Sequence, residues 1–153
     1  MPQFATERHV AHSAADMFAL VADVERYPEF VPLCERLIVR ARKHEGTDEV
    51  LVADMTVGYK AIRETFTTRV VLDRPGLNIA AQYLDGPFHH LDSQWRFVPE
   101  GAKACRVDFS VDYAFRSRML ALIMGAAFDI AFRRFAEAFE ARANAVFSVS
   151  AAG

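Results

Sequence analysis

The chain has 153 residues and a net charge of −2, and it is 52% hydrophobic and 25% charged. A chain of this length is expected to form one domain that buries roughly two thirds of its surface. The near-neutral charge excludes a strong field for DNA, and the hydrophobic content excludes a disordered chain. Cys34 and Cys105 stand far apart without a CxxC motif, which favours reduced thiols in a cytoplasmic protein.

The first third of the chain predicts a strand and a short helix. The strand covers Gln3 to His12, and Ser13 followed by Asp16 resembles a capping box that opens a helix. The helix must end before Pro28, because the residue before a proline leaves helical geometry. The following segment, YPEFVPLC at positions 27–34, is too apolar for a solvated loop. We expect it to pack down or to cap a pocket.

From Glu35 to Tyr113 the apolar residues recur with a period of two, which predicts strands with one buried face. The cleanest alternation is the last one, where Cys105, Val107, Phe109, Val111 and Tyr113 share a face. Short turns with Gly or Pro separate the strands, which is typical of an antiparallel meander.

A helix of more than 30 residues is predicted over Arg116 to Phe147, because the apolar residues there recur at helical spacing. The predicted class is therefore α+β, a curved antiparallel sheet of about six or seven strands wrapped around a long C-terminal helix. We expect one domain over residues 1–148 and a disordered tail at 149–153.

Motifs for catalysis, phosphate binding or metal binding are not visible. His89 and His90 are neighbours in a strand and would point to opposite faces, so we expect no metal site. Glu64 shares the inward phase of its strand, and Asp54 stands in a regular strand, so either carboxylate could be an acid or base in a cavity. A solvated or arginine-paired carboxylate explains both residues better.

Localisation is predicted from the apolar runs. The N-terminus has no apolar run typical of a signal peptide, and the longest run, Met119 to Phe128, is too short to span a bilayer. We expect a cytoplasmic protein that visits the inner membrane at most transiently.

Three segments carry a resemblance to a known family: FALVADVERYPEFVPLC (18–34), GPFHHLDSQWRF (86–97) and FRRFAEAFEARA (132–143). Together they resemble the coenzyme Q-binding proteins, also described as polyketide cyclase/dehydrase-like, whose bacterial members include a ribosome association toxin. The resemblance implies a START-like helix-grip fold with an apolar tunnel between sheet and helix. It also implies binding of ubiquinone or a related lipid in support of respiratory electron transport, without a set of catalytic residues or another cofactor.

A polyprenyl lipid needs an apolar wall, and the inward sheet positions and the first part of the long helix are the candidates. The predicted ligand-binding residues are Phe30, Leu33, Phe66, Val70, Trp95, Phe97, Val107, Phe109, Val111, Leu120, Ile123, Met124, Ala127 and Phe128. The same residues would also form a sound solid core, and the sequence alone leaves tunnel and core as alternatives.

Two other functions remain open. One is association with a ribosomal subunit, through the arginines of the last helix or the surface near YPEFVP. The other is a cyclase or aromatase activity that uses Glu64 or Asp54 inside the cavity.

Overall fold

The computed structural model describes residues 3–152, with side chains as far as residue 147. The strands are β1 (Gln3–Val10), β2 (Cys34–Glu45), β3 (Asp48–Tyr59), β4 (Ile62–Asp73), β5 (Asn78–Asp85), β6 (Phe88–Pro99) and β7 (Cys105–Phe115). Helix α1 spans Ala14–Ala22, a 3-10 turn spans Val24–Glu29, and helix α2 spans Arg118–Ala152. All seven strands form one antiparallel sheet in the order β1-β7-β6-β5-β4-β3-β2, which confirms the predicted class.

The long helix differs from its prediction at both ends. It begins two residues later than predicted, because the Ser117 hydroxyl accepts a hydrogen bond from the Leu120 amide and so caps it. Arg116 instead continues the extended chain, and its amide donates to the Pro87 carbonyl at 3.0 Å. At the other end α2 continues through Ala152. Gly153 and the side chains of the predicted tail lie outside the described residues, so disorder at 149–153 stays a prediction.

The sheet curves around α2 because its register shifts at several places. Such irregularities interrupt the pairing of β2 with β3, of β4 with β5 at Thr67 and Thr68, and of β6 with β7 at Phe88. A bulge bends the strand that carries it and increases its twist. The inward residues of β7 lie on the concave face and are buried, and the residues between them are half-buried or exposed, as the sequence predicts.

The two edge strands determine where the first helix lies. Strands β1 and β2 are consecutive in the chain but occupy opposite edges of the sheet. The connection between them, α1 and the 3-10 turn, must therefore cross the molecule. Helix α1 packs against β6, and the 3-10 turn packs against β2. Helix α2 lies over β7, β1 and α1. We call residues 24–33, the 3-10 turn and the loop that follows it, the lip.

The capping of α1 gives a stability prediction. The Ser13 side chain accepts a hydrogen bond from the Asp16 amide at 3.1 Å, as the sequence pattern indicates. Loss of an N-cap costs about 0.5–2 kcal/mol, so Ser13→Ala is expected to lower the free energy of unfolding by that amount in urea denaturation. Ser13→Thr keeps an acceptor and is the control. Equal stability of the alanine variant and the wild type would contradict the capping role.

Candidate ligand-binding cavity

A partly open cavity lies between the concave face of the sheet and the middle of α2. Its volume is about 110 Å³, several times what one water molecule needs. The lip, six strands and one side of α2 form its wall: Val24, Tyr27, Pro32, Leu33, Leu37, Ala53, Met55, Val57, Phe66, Thr68, Val70, Ile79, Ala81, Leu91, Ser93, Trp95, Phe109, Val111, Phe128, Ala131, Phe132, Phe135 and Phe139. The space under the helix is therefore not completely filled by side chains.

Aromatic rings form the part of the wall where the sheet meets α2. Trp95 lies 4.5 Å from Phe109 and 4.9 Å from Phe139, measured between ring centroids. Phe109 in turn lies 5.6 Å from Phe135 of the helix. Trp95 is the single tryptophan of the chain, so its fluorescence reports on this wall alone.

The polar groups of the wall are few. Thr68 and Ser93 present hydroxyls from the sheet, and neither hydroxyl has a hydrogen-bond partner within the described part of the chain. Tyr27 is different, because its hydroxyl donates to the Val21 carbonyl at 2.5 Å. Burial raises the pKa of the Tyr27 phenol, so it stays neutral. Among the described residues, the wall contains no carboxylate, amine, guanidinium or imidazole.

The lip is held against the far half of α2. Phe139 receives the rings of Tyr27 at 5.3 Å and Phe30 at 5.0 Å, both edge to face. Arg142 lies 5.1 Å above the Phe30 ring and donates to the Glu29 carboxylate at 2.6 Å. This arginine thus fastens the one wall of the cavity that belongs neither to the sheet nor to the long helix.

Removal of this contact is expected to loosen the lip. In Arg142→Met the methionine keeps the packing on Phe30 but loses the ion pair, so hydrogen exchange at the Phe30 and Val31 amides should become several-fold faster. Arg134→Met is the matched control, because Arg134 is exposed on the same helix without a partner among the described residues. Equal exchange in the two variants would contradict the fastening role.

Acid should have the same effect as the substitution. The pKa of the Glu29 carboxyl lies below its ordinary value because Arg142 and Arg26 donate hydrogen bonds to it. The contact is complete at neutral pH and is lost only as the pH falls through that lowered pKa.

The structure places half of the predicted ligand-binding residues in the wall. These are Leu33, Phe66, Val70, Trp95, Phe109, Val111 and Phe128. Apart from Leu33 and Phe128, these residues are inward positions on the strands. The strand alternation therefore predicted correctly which face of the sheet they occupy. Leu33 adopts a left-handed backbone with φ 66°, and its carbonyl accepts from the Gly58 amide at 3.0 Å, which joins the lip to β3.

The other half lie outside the wall, and their role in binding a ligand stays a prediction: Phe30, Phe97, Val107, Leu120, Ile123, Met124 and Ala127. Phe97 and Val107 are core residues near α1, where Phe97 packs 6.0 Å from Phe18. Phe30 lies behind the wall against Phe139. Ile123 is 43% exposed, because the start of α2 lies beyond the cavity.

The sequence analysis missed sixteen residues of the wall: nine on strands β2 to β6, three in the lip and four on the next turns of α2. Ala131, Phe132, Phe135 and Phe139 replace the predicted 120–127 segment. The same apolar stripe runs through both segments, so the helical period alone does not distinguish them. Thr68 and Ser93 share the inward phase of their strands, and that phase is the signal that could have identified them.

Neither acidic candidate reaches the cavity. Asp54 lies on the opposite face from Ala53, where it accepts hydrogen bonds from Thr67 at 2.6 Å and from Arg40. These partners hold the pKa of the Asp54 carboxyl below its ordinary value. Glu64 is half-buried near the β3–β4 turn and is not in the wall. The described residues contain no group of side chains that could hold a metal ion.

The arginines of α2 do not form one basic surface. Arg133 pairs with Asp129 at 3.0 Å and Arg142 pairs with Glu29. Arg118 and Arg134 are exposed without partners among the described residues, but 16 positions of helix place them about 24 Å apart.

A curved antiparallel sheet that grips a long helix is the START-like fold. The profile of one family, described as polyketide cyclase / dehydrase and lipid transport, matches residues 10–140. The chain belongs to this family.

Two curated relatives differ in what their names state. The ribosome association toxin RatA of Escherichia coli (strain K12) is 35% identical over 148 residues, which is 97% of this chain and 90% of that protein. The mitochondrial coenzyme Q-binding protein COQ10 of Drosophila melanogaster is 34% identical over 126 residues, which is 79% of this chain and 50% of that protein.

Among solved structures, the Zhui aromatase/cyclase of a Streptomyces species superposes with a TM-score of 0.81. The superposition covers 99% of this chain and 98% of that one, at 20% sequence identity. At this level of identity the likeness shows the fold alone. Within the described residues, no helix is long and apolar enough to cross a membrane.

Proposed function

We propose that the protein is a non-catalytic carrier that binds the ring of a ubiquinone-like lipid in the cavity between the sheet and α2. The observation that carries the proposal is an apolar, aromatic cavity with no charged side chain in its wall among the described residues. A neutral ring enters such a site without the cost of desolvating a charge. The relative named for coenzyme Q binding supports the same ligand class.

The non-catalytic part of the proposal rests on the chemistry of the wall. Acid–base catalysis needs a titratable group within hydrogen-bond reach of the substrate. Asp54 and Glu64 lie outside the wall, and the Tyr27 phenol is held neutral and donates to Val21. Burial also raises the pKa of both cysteine thiols to about 11, which makes them poor nucleophiles at neutral pH.

The size of the cavity indicates how such a lipid would be held. A cavity of about 110 Å³ is smaller than the roughly 300–1,000 Å³ of typical small-molecule sites, so we expect it to take the ring but not a long polyprenyl chain. The remaining tail must leave between the walls, and the lip is the wall that can move with least disturbance of the sheet. A transient contact with the inner membrane from the cytoplasm would then load the ligand.

Lipid extraction tests this proposal directly. The protein is purified from a quinone-producing bacterial host, and bound lipids are extracted and identified by mass spectrometry. Decylubiquinone is also added to the delipidated protein, where we expect quenching of Trp95 and a rise in melting temperature. An extract without quinone, together with an unchanged melting temperature, would contradict the proposal.

Association with a ribosomal subunit is the second candidate, and the identity to the ribosome association toxin favours it. Exposed Arg118 and Arg134 are the cations of α2 that are available for phosphate contacts. Co-sedimentation with purified subunits at several salt concentrations tests this function. An RNA contact should weaken steeply as salt rises and should be lost in an Arg118→Glu, Arg134→Glu variant, whereas quinone binding should change little.

A further inference from the structure

The cavity wall contains two hydroxyls that have no partner, Thr68 on β4 and Ser93 on β6. Each stands on the inward face, since their sequence neighbours at two-residue spacing, Val70 and Trp95, also line the cavity. Both residues are half-buried, and no fully buried side-chain polar atom in the described residues lacks a partner. The two hydroxyl oxygens are therefore accessible at the cavity and are available to hydrogen-bond to a ligand there.

The register of the sheet places these hydroxyls apart. Ser93 pairs with Ala81 on β5, and Ala81 pairs with Val70 on β4. Thr68 lies one inward position from Val70 on the same strand. Two strand spacings separate the hydroxyl-bearing strands by about 10 Å. On β5, which lies between them, Ala81 is opposite Ser93 and Tyr83 is opposite Thr68; Ala81 belongs to the cavity wall and Tyr83 does not.

We infer that Thr68 and Ser93 determine specificity, because together they select a flat neutral ring that carries an oxygen at each of two opposite ends. The inference rests on the proposed function and names what the site recognises in its ligand. A pure hydrocarbon would leave both hydroxyls unbonded, which costs free energy. A carboxylate or phosphate would meet no cation in the wall.

The same pair accommodates both redox states of such a ring. A hydroxyl both donates and accepts hydrogen bonds. Thr68 and Ser93 can therefore donate to the carbonyl oxygens of a quinone and accept from the hydroxyls of the reduced quinol. We expect the wild type to bind the two forms with affinities within about tenfold of each other.

The test compares Thr68→Val and Ser93→Ala with matched controls on the convex face. Thr65→Val is the control for the same change on β4, and Ser110→Ala is the control for the same change on β7; both residues are exposed. Binding of decylubiquinone is measured by quenching of Trp95. Decylubiquinol and decylbenzene, which has a similar tail but no ring oxygens, are measured by competition.

Each cavity variant should bind decylubiquinone and decylubiquinol about two- to tenfold more weakly than the wild type, because each loses one hydrogen bond. Decylbenzene should bind the cavity variants at least as tightly as the wild type, because the variants no longer leave a hydroxyl unbonded beside it. The controls should behave as the wild type does. Unchanged quinone affinity in both cavity variants would overturn the inference while leaving the proposed function intact. An equal loss for all three ligands would also overturn it, since the residues would then only support the wall. A wild type that binds no quinone would overturn the proposed function itself.

Discussion

Val70→Trp is expected to abolish ligand binding while the protein keeps its fold. Val70 lies in the cavity wall, one inward position from Thr68 on the same strand, and is 6% exposed. An indole at this position would extend into space that no side chain occupies, so it should displace the ligand rather than its neighbours. The melting temperature of the ligand-free variant should equal or exceed that of the wild type, and lipid extraction should recover no quinone.

The matched control is Val107→Trp, which makes the same change on the same face of the sheet. Val107 is 2% exposed and belongs to the solid core rather than to the cavity wall. Extra atoms in a packed core cost about 1–3 kcal/mol, and in a domain of this size each kcal/mol lowers the melting temperature by about 2–4 °C. The control should therefore lose stability.

These two variants distinguish a cavity from a solid core. Equal destabilisation by both tryptophans would mean that the space beside Val70 closes in solution. Full ligand binding by Val70→Trp would mean that the ligand occupies another site. Differential scanning calorimetry of the delipidated proteins, followed by lipid extraction, measures both quantities.

Phe139→Ala is expected to cause the largest loss of stability. Phe139 is 1% exposed, and its ring contacts Trp95 of the sheet as well as Tyr27 and Phe30 of the lip. Truncation of a buried phenylalanine typically costs 3–5 kcal/mol, since the transfer free energy and the contacts around the new void are both lost. Urea denaturation should show this decrease, and hydrogen exchange should increase first in the lip.

Ile130→Ala on the same helix is the control for the loss of helical apolar surface. Ile130 is 51% exposed, so its truncation should change the free energy of unfolding by no more than about 0.5 kcal/mol. If Phe139→Ala also stays within 1 kcal/mol of the wild type, Phe139 does not join the helix, sheet and lip as described.

The sequence predicted the elements well wherever a local interaction specifies them. Ser13 caps α1 through its own side chain, and the alternation from Cys105 to Tyr113 specifies which face of β7 is buried. Helix α2 begins two residues later than predicted. The reason is that Ser117, rather than a residue before Arg116, caps the helix by accepting a hydrogen bond from the Leu120 amide. These features depend on neighbours within a few positions of the chain.

The sequence predicted which face of the sheet carries the candidate site, but not where along that face the site lies. Phase in a strand distinguishes inward from outward residues, and it correctly indicated Phe66, Val70 and Trp95. Phase does not say how far along the strand the helix touches the sheet. Val107 and Phe109 have the same phase and similar burial, yet only Phe109 reaches the cavity.

The sequence by itself determined the class of fold, the buried face of each strand and the apolar stripe of α2, because each follows from a short-range period. The tertiary structure alone decided where along α2 the packing stops. The placement of β1 and β2 at opposite edges sends the lip across to Phe139, and the sheet bends at its register shifts. The cavity therefore lies beside Phe128 to Phe139, and of the predicted helical residues only Phe128 reaches it, because its position depends on contacts between residues about a hundred positions apart.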